Sequence, residues 1–576
     1  MAKVLIANSV GIDSREYAII HSPSRWTNST KNKNVFTYYP WELAYTSSLL
    51  KRETEHRVRF MDGCLLKFTV EDFFKKIGDE FRPDFMVMEP STRTYLEDNR
   101  LMQMVKDSFG TKLIVVGQHA TAFPEEVGKL ADYVCLGEYE YTVLEILQGK
   151  ERGKILGLYP NSRRPLLDVN TLPWPEDEDV RRIDYGLPGE PSCEYLEIQA
   201  YASRGCPFQC SFCVCANLYY AKPNWRPRDV EDIVAEVKHL RTRYPQTEGI
   251  FFDEETHTVK KDFIIQLTRR WIEEGLSNLK INAMCGYFGL DREMMEAMKE
   301  AGYYMLRVGI ETASEKVARA IGMSKKFNLK RLMAVLRIGK EVGLKMYGTF
   351  LIGAPGSTKE DDEKTVRLLK RLIDERLLWS FQISICTPQP GTQFFKWAKE
   401  KGYLLDVNWY KFDGGNCAVV SYPDYPANEI ESVFRGAEKM YDYNKLLRFR
   451  ENKSKIKDEL SKIGNYNRGL VVRSVPIEFF KEVCTVLNKS LRLLCQEGVT
   501  DDLKGIFKDT LVIKEGSINI DTLDLRLREG LKSEIDYCLI PVKNTKGQGY
   551  ENVVDAFKQM GLKTFLISVE GELIER

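Results

Sequence analysis

The sequence predicts an α/β protein: an N-terminal, flavodoxin-like doubly wound sheet, then a partial (β/α)6 TIM barrel, then a small C-terminal α/β appendage. Two observations predict it. Short apolar runs bounded by polar or glycine-rich turns recur over residues 1–150 and again over 195–402, as buried parallel strands do. Amphipathic segments of helical period fall between them, and that alternation is the signature of β/α units. At 576 residues the chain is long enough for three or four domains, each with its own core.

Composition narrows the function classes. Basic residues number 84 against 83 acidic ones, so there is no electrostatic case for a nucleic-acid partner. No N-terminal stretch resembles a secretory signal, and no run of about 20 apolar residues could span a bilayer. The sequence therefore predicts a cytoplasmic protein without a membrane span. Thirteen cysteines in that setting point away from disulfides.

In the first domain, 1–150, strands are expected at 4–7, 58–61, 85–88, 113–116 and 133–136. Helical patterns lie between them. Sheets of this kind bind ligands outside the carboxyl ends of their strands. Residues 11–39 are too long for an ordinary strand-to-helix loop and form a candidate lid or substrate wall. No Gly-x-Gly-x-x-Gly and no phosphate loop occurs, so dinucleotide binding is weakly supported. Residues 151–194 read as a linker, with Leu172-Pro-Trp-Pro175 held extended by its prolines.

The second domain, 195–402, has expected strands at 195–200, 249–253, 280–284, 306–310, 347–352 and 380–386. Barrel chemistry belongs at strand carboxyl ends, and after the first strand comes Arg204-Gly-Cys-Pro-Phe-Gln-Cys-Ser-Phe-Cys213. Gly205 and Pro207 favour a loop there. A loop that curls on itself can aim Cys206, Cys210 and Cys213 at three corners of an iron–sulfur cube, leaving one iron open. The competing reading is a structural zinc site, which wants four ligands, usually in two separated pairs. Cys215 follows Cys213 too closely to serve easily as a fourth corner. Residues 403–467 read as a barrel cap and helical extension. Residues 468–576 form the appendage, with strands at 536–542 and 563–569 around a helix at 550–560.

The cysteine run, with an aromatic residue before its third thiol, resembles the signature of the radical S-adenosylmethionine (radical SAM) enzymes. That resemblance implies a [4Fe-4S] cluster on Cys206, Cys210 and Cys213, with S-adenosylmethionine on the open iron and Phe212 near its adenine. It also implies cofactor contacts at successive strand ends. These are Asp253 and Glu254 in Phe251-Phe-Asp-Glu-Glu255, Glu311, Gly353 and Pro388. Upstream, Ser91-Thr92, Gly117-Gln-His-Ala-Thr121 and Gly137-Glu-Tyr-Glu140 resemble the cobalamin-binding domain that precedes many of these enzymes. The implied corrin contacts are Ser91, Thr92, Gly117, Gln118, His119, Gly137 and Glu138. Gln118 and Tyr139 stand where the family usually has glycines. No Asp-x-His-x-x-Gly follows the first strand, so no histidine from that loop is expected on cobalt.

Together these resemblances imply a cobalamin-dependent radical SAM enzyme of the class B methyltransferase type. It would act on an unactivated carbon of a small-molecule substrate and take electrons from a flavodoxin- or ferredoxin-type reductant. A cyclase or rearrangement enzyme of the same architecture is the alternative. A methylthiotransferase acting on RNA lacks support, because no second cysteine triplet precedes the barrel. A non-catalytic cofactor carrier is the remaining reading.

Overall fold

The computed structural model describes every residue except 23–24, 34, 187–192, 324–326, 406–407, 464–467, 508, 515, 517, 521, 524 and 545–548. Residues 23–24 and 34 of the expected lid, 187–192 of the expected linker, and 406–407 and 464–467 of the expected cap and helical extension therefore lie outside the described residues. The chain divides into two compact units, Met1–Glu438 and Lys439–Arg576.

The first sheet is built from short strands, two to six residues long. Its elements are β1 (Lys3–Asn8), an inserted hairpin β2 (Ala18–Ser22) and β3 (Trp26–Thr30), then β4 (Arg57–Asp62), β5 (Phe85–Met88), β6 (Lys112–Val115) and β7 (Tyr133–Val134). The order is β4-β1-β5-β6-β7, and every pairing is parallel. Leaving out the hairpin, this is the 2-1-3-4-5 order of flavodoxin-like sheets. Alternation along the strands loads both faces. Val4, Ile6, Phe60, Val87 and Ile114 pack on one side, and Leu5, Ala7, Met61, Met86, Leu113 and Val115 on the other. Strands with both faces covered must read as continuous apolar runs, which is why the sequence located them.

The barrel begins with β8 (Glu197–Ala200), followed by a short pair β9 (Ser203–Arg204) and β10 (Arg226–Pro227). Then come β11 (Gly249–Phe252), β12 (Lys280–Cys285), β13 (Tyr303–Glu311), β14 (Lys345–Ile352) and β15 (Ser380–Ile385). The six main strands lie in chain order, β8-β11-β12-β13-β14-β15, all parallel. β8 and β15 remain as edges, so the barrel is open along one side. Its helices include Lys359–Asp374, which starts with a capping box between Thr358 and Asp361. Leu369 on that helix is fully buried.

The second unit carries a larger sheet than the two strands the sequence analysis expected. β16 (Gly469–Val472), β17 (Arg492–Gln496), β18 (Asp509–Ile513), β19 (Tyr537–Val542), β20 (Lys563–Ser568) and β21 (Leu573–Glu575) are ordered β18-β17-β16-β19-β20-β21. Only β21 is antiparallel to its neighbour. It is a second doubly wound sheet, with Val471, Leu493 and Leu539 on one face and Leu470, Leu494 and Ile540 on the other. Among the described residues no helix is long and apolar enough to cross a membrane.

Two measurements test these packing arguments. Leu369→Ala should cost about 2–5 kcal/mol through its cavity, and Thr358→Ala only about 1 kcal/mol through its lost cap. Urea denaturation that reversed this ranking would contradict the assignment of Leu369 to the core. The second concerns His119, fully enclosed beside β6, whose burial pulls its pKa down to about 3. An unfolded histidine titrates near 6.5, so this group's contribution is intact above about 6.5 and is lost as pH falls from there toward about 3. Asp98, which burial raises to about 7, acts with the opposite sign but is common to both proteins compared. Between about pH 7 and pH 5, His119→Gln should therefore lose less stability than the parent by about 2 kcal/mol. Equal losses would show that His119 titrates normally.

Candidate active site at the cysteine loop

The chain leaves β8 at Ala200 and enters the β9/β10 ribbon, where Arg204 pairs with Arg226 in register. Gly205 then takes φ +96°, a region that favours glycine. A Cβ there would lie 2.1 Å from Asn224 Oδ1. From this point the loop is fixed by other elements. Gly205 N donates to Glu255 Oε2 (2.9 Å) and Asn224 N donates to the Cys206 carbonyl (2.9 Å). Ser211 N donates to Ile321 O (3.1 Å), and Asn217 Nδ2 bridges the carbonyls of Cys210 (2.6 Å) and Cys213 (2.8 Å). Directly after it comes a π-helical turn, Cys215–Tyr219, a form found often at functional sites.

Cys206, Cys210 and Cys213 are half-buried, whereas Cys215 is buried. The Cys215 thiol donates to Cys213, and with the backbone N–H groups of Ala216 and Cys215 it lowers the Cys213 pKa to about 7. Cys215 is thus a hydrogen-bond partner of the third thiol. Among the described residues no three Cys, His, Asp or Glu side chains converge on one point as ligands of a single metal ion would. A cube differs in that it takes its ligands at separate corners, so the loop spacing suits a cluster better than one zinc ion. No two of the thirteen cysteines are joined by a disulfide.

The expected strand-end residues fall at the same edge as this loop. Asp253 follows β11 and is paired with Arg25 (3.1 Å), whose guanidinium also donates to the Asp253 carbonyl. Arg25 comes from the β2/β3 hairpin, so the expected lid reaches the barrel mouth through this residue. Glu254 faces inward instead. Its Oε1 lies 2.5 Å from His257 Nδ1 and Oε2 accepts from Ala202 N (3.4 Å), while His257 Nε2 meets the Tyr303 hydroxyl (2.7 Å). Glu255 lies nearest the cysteine loop. Burial opposes its ionisation, yet Arg25, Gly205 N–H and the Tyr220 hydroxyl hold its carboxyl below the usual range. Glu311 ends β13 at φ +64°, a strained conformation for a non-glycine residue that marks functional sites. It accepts from Thr349 Oγ1 (3.2 Å). Gly353 sits at φ +70° and donates its N–H to Asp362 (2.7 Å). Pro388 is buried and Phe212 half-buried.

On the sheet, the loops after β5, β6 and β7 bring the other expected residues together. Thr92 Oγ1 meets His119 Nδ1 (3.1 Å), leaving His119 Nε2 enclosed without a partner. The His119 ring packs against Tyr95 (4.0 Å) and Trp409 (5.9 Å). Ser91 N bonds Thr94 (3.0 Å), and Gln118 is buried. Gly117 and Gly137 are linked through Thr121, whose hydroxyl donates to Gly117 O (2.7 Å) and accepts from Gly137 N (3.0 Å). Tyr139 is wholly buried and donates to Glu89 Oε2 (2.5 Å). Glu138 turns away from these loops to face Arg204 and Arg226.

Between this edge and the barrel lies a polar junction. Glu42 Oε2, Glu140 Oε2, Arg204 Nη2, Tyr201 OH and Tyr219 OH are all buried there without hydrogen-bond partners. Buried polar groups are normally paired, so five unmatched donors and acceptors point to a polar ligand. A corrin fits that description, because the amides on its rim both donate and accept. Sequence reasoning missed Arg25, Arg204, Glu140 and Glu255 as site residues. Arg204, Glu140 and Glu255 stand inside the motifs it used, but their pairing depends on partners 50 or more positions away, and Arg25 carries no local signal at all.

A family model described as the radical SAM superfamily matches residues 201–369. Over 416 residues the chain is 30% identical to an uncharacterised methyltransferase of Pyrococcus horikoshii, spanning 69% of this chain and 86% of that protein. It is 22% identical over 412 residues to a bacteriochlorophyllide d C-8(2)-methyltransferase of Chlorobaculum tepidum, spanning 68% of this chain and 84% of that one. In fold it is similar to the cobalamin-dependent S-adenosylmethionine radical enzyme OxsB, solved with aqua-cobalamin and S-adenosylmethionine. There the TM-score is 0.58 at 12% identity, over 80% of this chain and 69% of that one. The three-thiol loop at the end of the first barrel strand, the matching family model and the Pyrococcus relative agree: this chain is an enzyme of the radical SAM superfamily.

Proposed function

We propose that the enzyme is a cobalamin-dependent radical SAM C-methyltransferase acting on an unactivated carbon of a small-molecule substrate. The observation that carries this reading is the placing of the three-thiol loop across a polar junction from the loops after β5, β6 and β7. The methyltransferase relatives and the OxsB-like fold support it. When bound, the cluster with S-adenosylmethionine supplies a hydrogen-abstracting radical and methylcobalamin supplies the methyl group.

The chain's own residues bind, orient and exclude water. Cys206, Cys210 and Cys213 would hold the cluster, with Cys215 supporting the third sulfur. Phe212 would lie along the adenine, and Asp253 and Glu311 would meet the ammonium group of S-adenosylmethionine. Gly353 and Pro388 would line the same edge. Glu254 serves this site indirectly, holding Ala202 N–H just ahead of the loop. Ser91, Thr92, Gly117, Gln118, His119 and Gly137 would cradle the corrin. His119 stays neutral there, since burial keeps its pKa near 3. Arg25 and Trp409 would close the cavity from the two flanking segments. Two electrons per turnover would come from a flavodoxin- or ferredoxin-type protein in the cytoplasm, where thiols stay reduced.

Two experiments test this. In anaerobic protein reconstituted with iron and sulfide, Cys206→Ala, Cys210→Ala and Cys213→Ala should each lose the cluster absorbance, and S-adenosylmethionine cleavage should fall to background. Cys215→Ala should keep the iron and lose about tenfold in cleavage rate. Iron uptake by the triple Cys→Ala protein would contradict the assignment. In the second, the reduced enzyme is loaded with hydroxocobalamin and given a deproteinised cell extract as the source of substrate. It should release S-adenosylhomocysteine together with 5′-deoxyadenosine. Deoxyadenosine alone would mark a cyclase or rearrangement enzyme, and neither product would mark a carrier.

A further inference from the structure

The loop after β7, Gly137-Glu-Tyr-Glu140, carries two acids, and both pair with arginines of the barrel, Glu138 through each of its oxygens and Glu140 through Oε1. Glu138 Oε1 lies 2.8 Å from Arg226 Nη2 and 3.3 Å from Arg204 Nη1. Its Oε2 lies 2.9 Å from Arg226 Nη1 and accepts Leu167 N–H at 3.0 Å. Glu140 Oε1 lies 2.5 Å from Arg204 Nη1. Arg204 is 2% exposed, Glu138 5% and Glu140 0%, so these pairs are almost unscreened by solvent. Both arginines lead to the cysteine loop. Arg204 is joined covalently to Gly205 and through it to Cys206. Arg226 Nε bonds Asn224 Oδ1 (3.1 Å), and Asn224 N–H holds the Cys206 carbonyl (2.9 Å).

We infer that Glu138 and Glu140 are positioning residues for the cluster loop, acting through Arg204 and Arg226, and that Glu138 is not a corrin contact. The inference rests on Cys206, Cys210 and Cys213 holding the cluster. Two independent paths, one covalent through Arg204 and one hydrogen-bonded through Arg226 and Asn224, converge on Cys206. Two acids of the sheet domain therefore set where the first thiol stands. Gly205 adds no stiffness of its own, so the clamp reinforces the hold that Glu255 and Asn224 have on the Cys206 end. Removing one member of a buried pair leaves its partner charged and unmatched. Lysine cannot replace Arg226, because its ammonium lacks the planar fork that spans both Glu138 oxygens.

The test uses full-length Glu140→Gln, Glu138→Gln and Arg226→Lys proteins, anaerobically reconstituted beside the parent. The last is the mildest, since Arg226 is partly exposed, and it keeps the test open should a glutamine variant fold poorly. Iron content, the EPR spectrum of the reduced cluster with and without S-adenosylmethionine, the S-adenosylmethionine dissociation constant and the hydroxocobalamin dissociation constant are measured on each. The expected result is retained iron, an altered EPR spectrum of the S-adenosylmethionine-bound cluster and S-adenosylmethionine binding weakened at least about tenfold. Hydroxocobalamin affinity of Glu138→Gln and Arg226→Lys should stay within about threefold of the parent. Weakened hydroxocobalamin binding with unchanged EPR spectra in Glu138→Gln would make Glu138 a corrin contact and overturn the inference. Unchanged EPR spectra and unchanged affinities, with only a lower melting temperature, would overturn it as well. A parent protein that takes up no iron would instead refute the proposed function on which the inference rests.

Discussion

A loop carrying three thiols has no hydrogen-bond ladder of its own, so beyond the Cys213 N–H to Cys210 carbonyl bond the contacts that fix it come from elsewhere. That constraint organises the Met1–Glu438 unit. Glu255 from the end of β11 holds Gly205, Asn224 holds Cys206, the backbone at Ile321 holds Ser211, and Asn217 ties Cys210 to Cys213. Arg204 brings in the sheet domain through Glu138 and Glu140. The thiols are placed by the ends of several strands, as barrel chemistry generally is.

The same junction shows why two domains are used. Each β/α domain presents its strand ends as a ligand edge, and in this unit the two edges meet through buried charges. Burying Arg204, Glu138 and Glu140 carries a desolvation cost that their mutual attraction offsets only with good geometry. An apolar interface would be cheaper for stability alone. Retaining charges there fits a surface that must fix orientation and also accept a large polar ligand. The five unpartnered polar atoms beside these charges give the same reading. Arg25, arriving from an insertion in the first strand-to-helix connection, extends the charged surface to the barrel mouth, where it neutralises Asp253.

Much of this was legible in the sequence, for identifiable reasons. Parallel strands buried on both faces must be apolar throughout, so β1, β4, β5 and β6, and nearly all the barrel strands, announce themselves. The thiol spacing is local chemistry and needs no fold to be read. The C-terminal sheet was less visible. β16 is only Gly469–Val472, and β17 and β18 begin or end on Arg492, Gln496 and Asp509, so their apolar runs are too brief to stand out. The site residues that escaped were charged ones whose role depends on a distant partner. Glu138 was expected to face the corrin because it lies in a ligand-edge loop, and nothing local shows that Arg204 and Arg226 turn it the other way. Tyr139 and Gln118 could be recognised as departures from the family pattern. Where the Tyr139 ring goes, toward Glu89, is a matter of tertiary packing.

The central claim is that three thiols grip a cluster and leave one iron open. Mössbauer spectroscopy of anaerobically reconstituted, iron-57-labelled protein tests it most directly. The account predicts that adding S-adenosylmethionine shifts the signal of one iron while the other three keep theirs. Four irons that respond alike, or a spectrum without a [4Fe-4S] cluster, would contradict it.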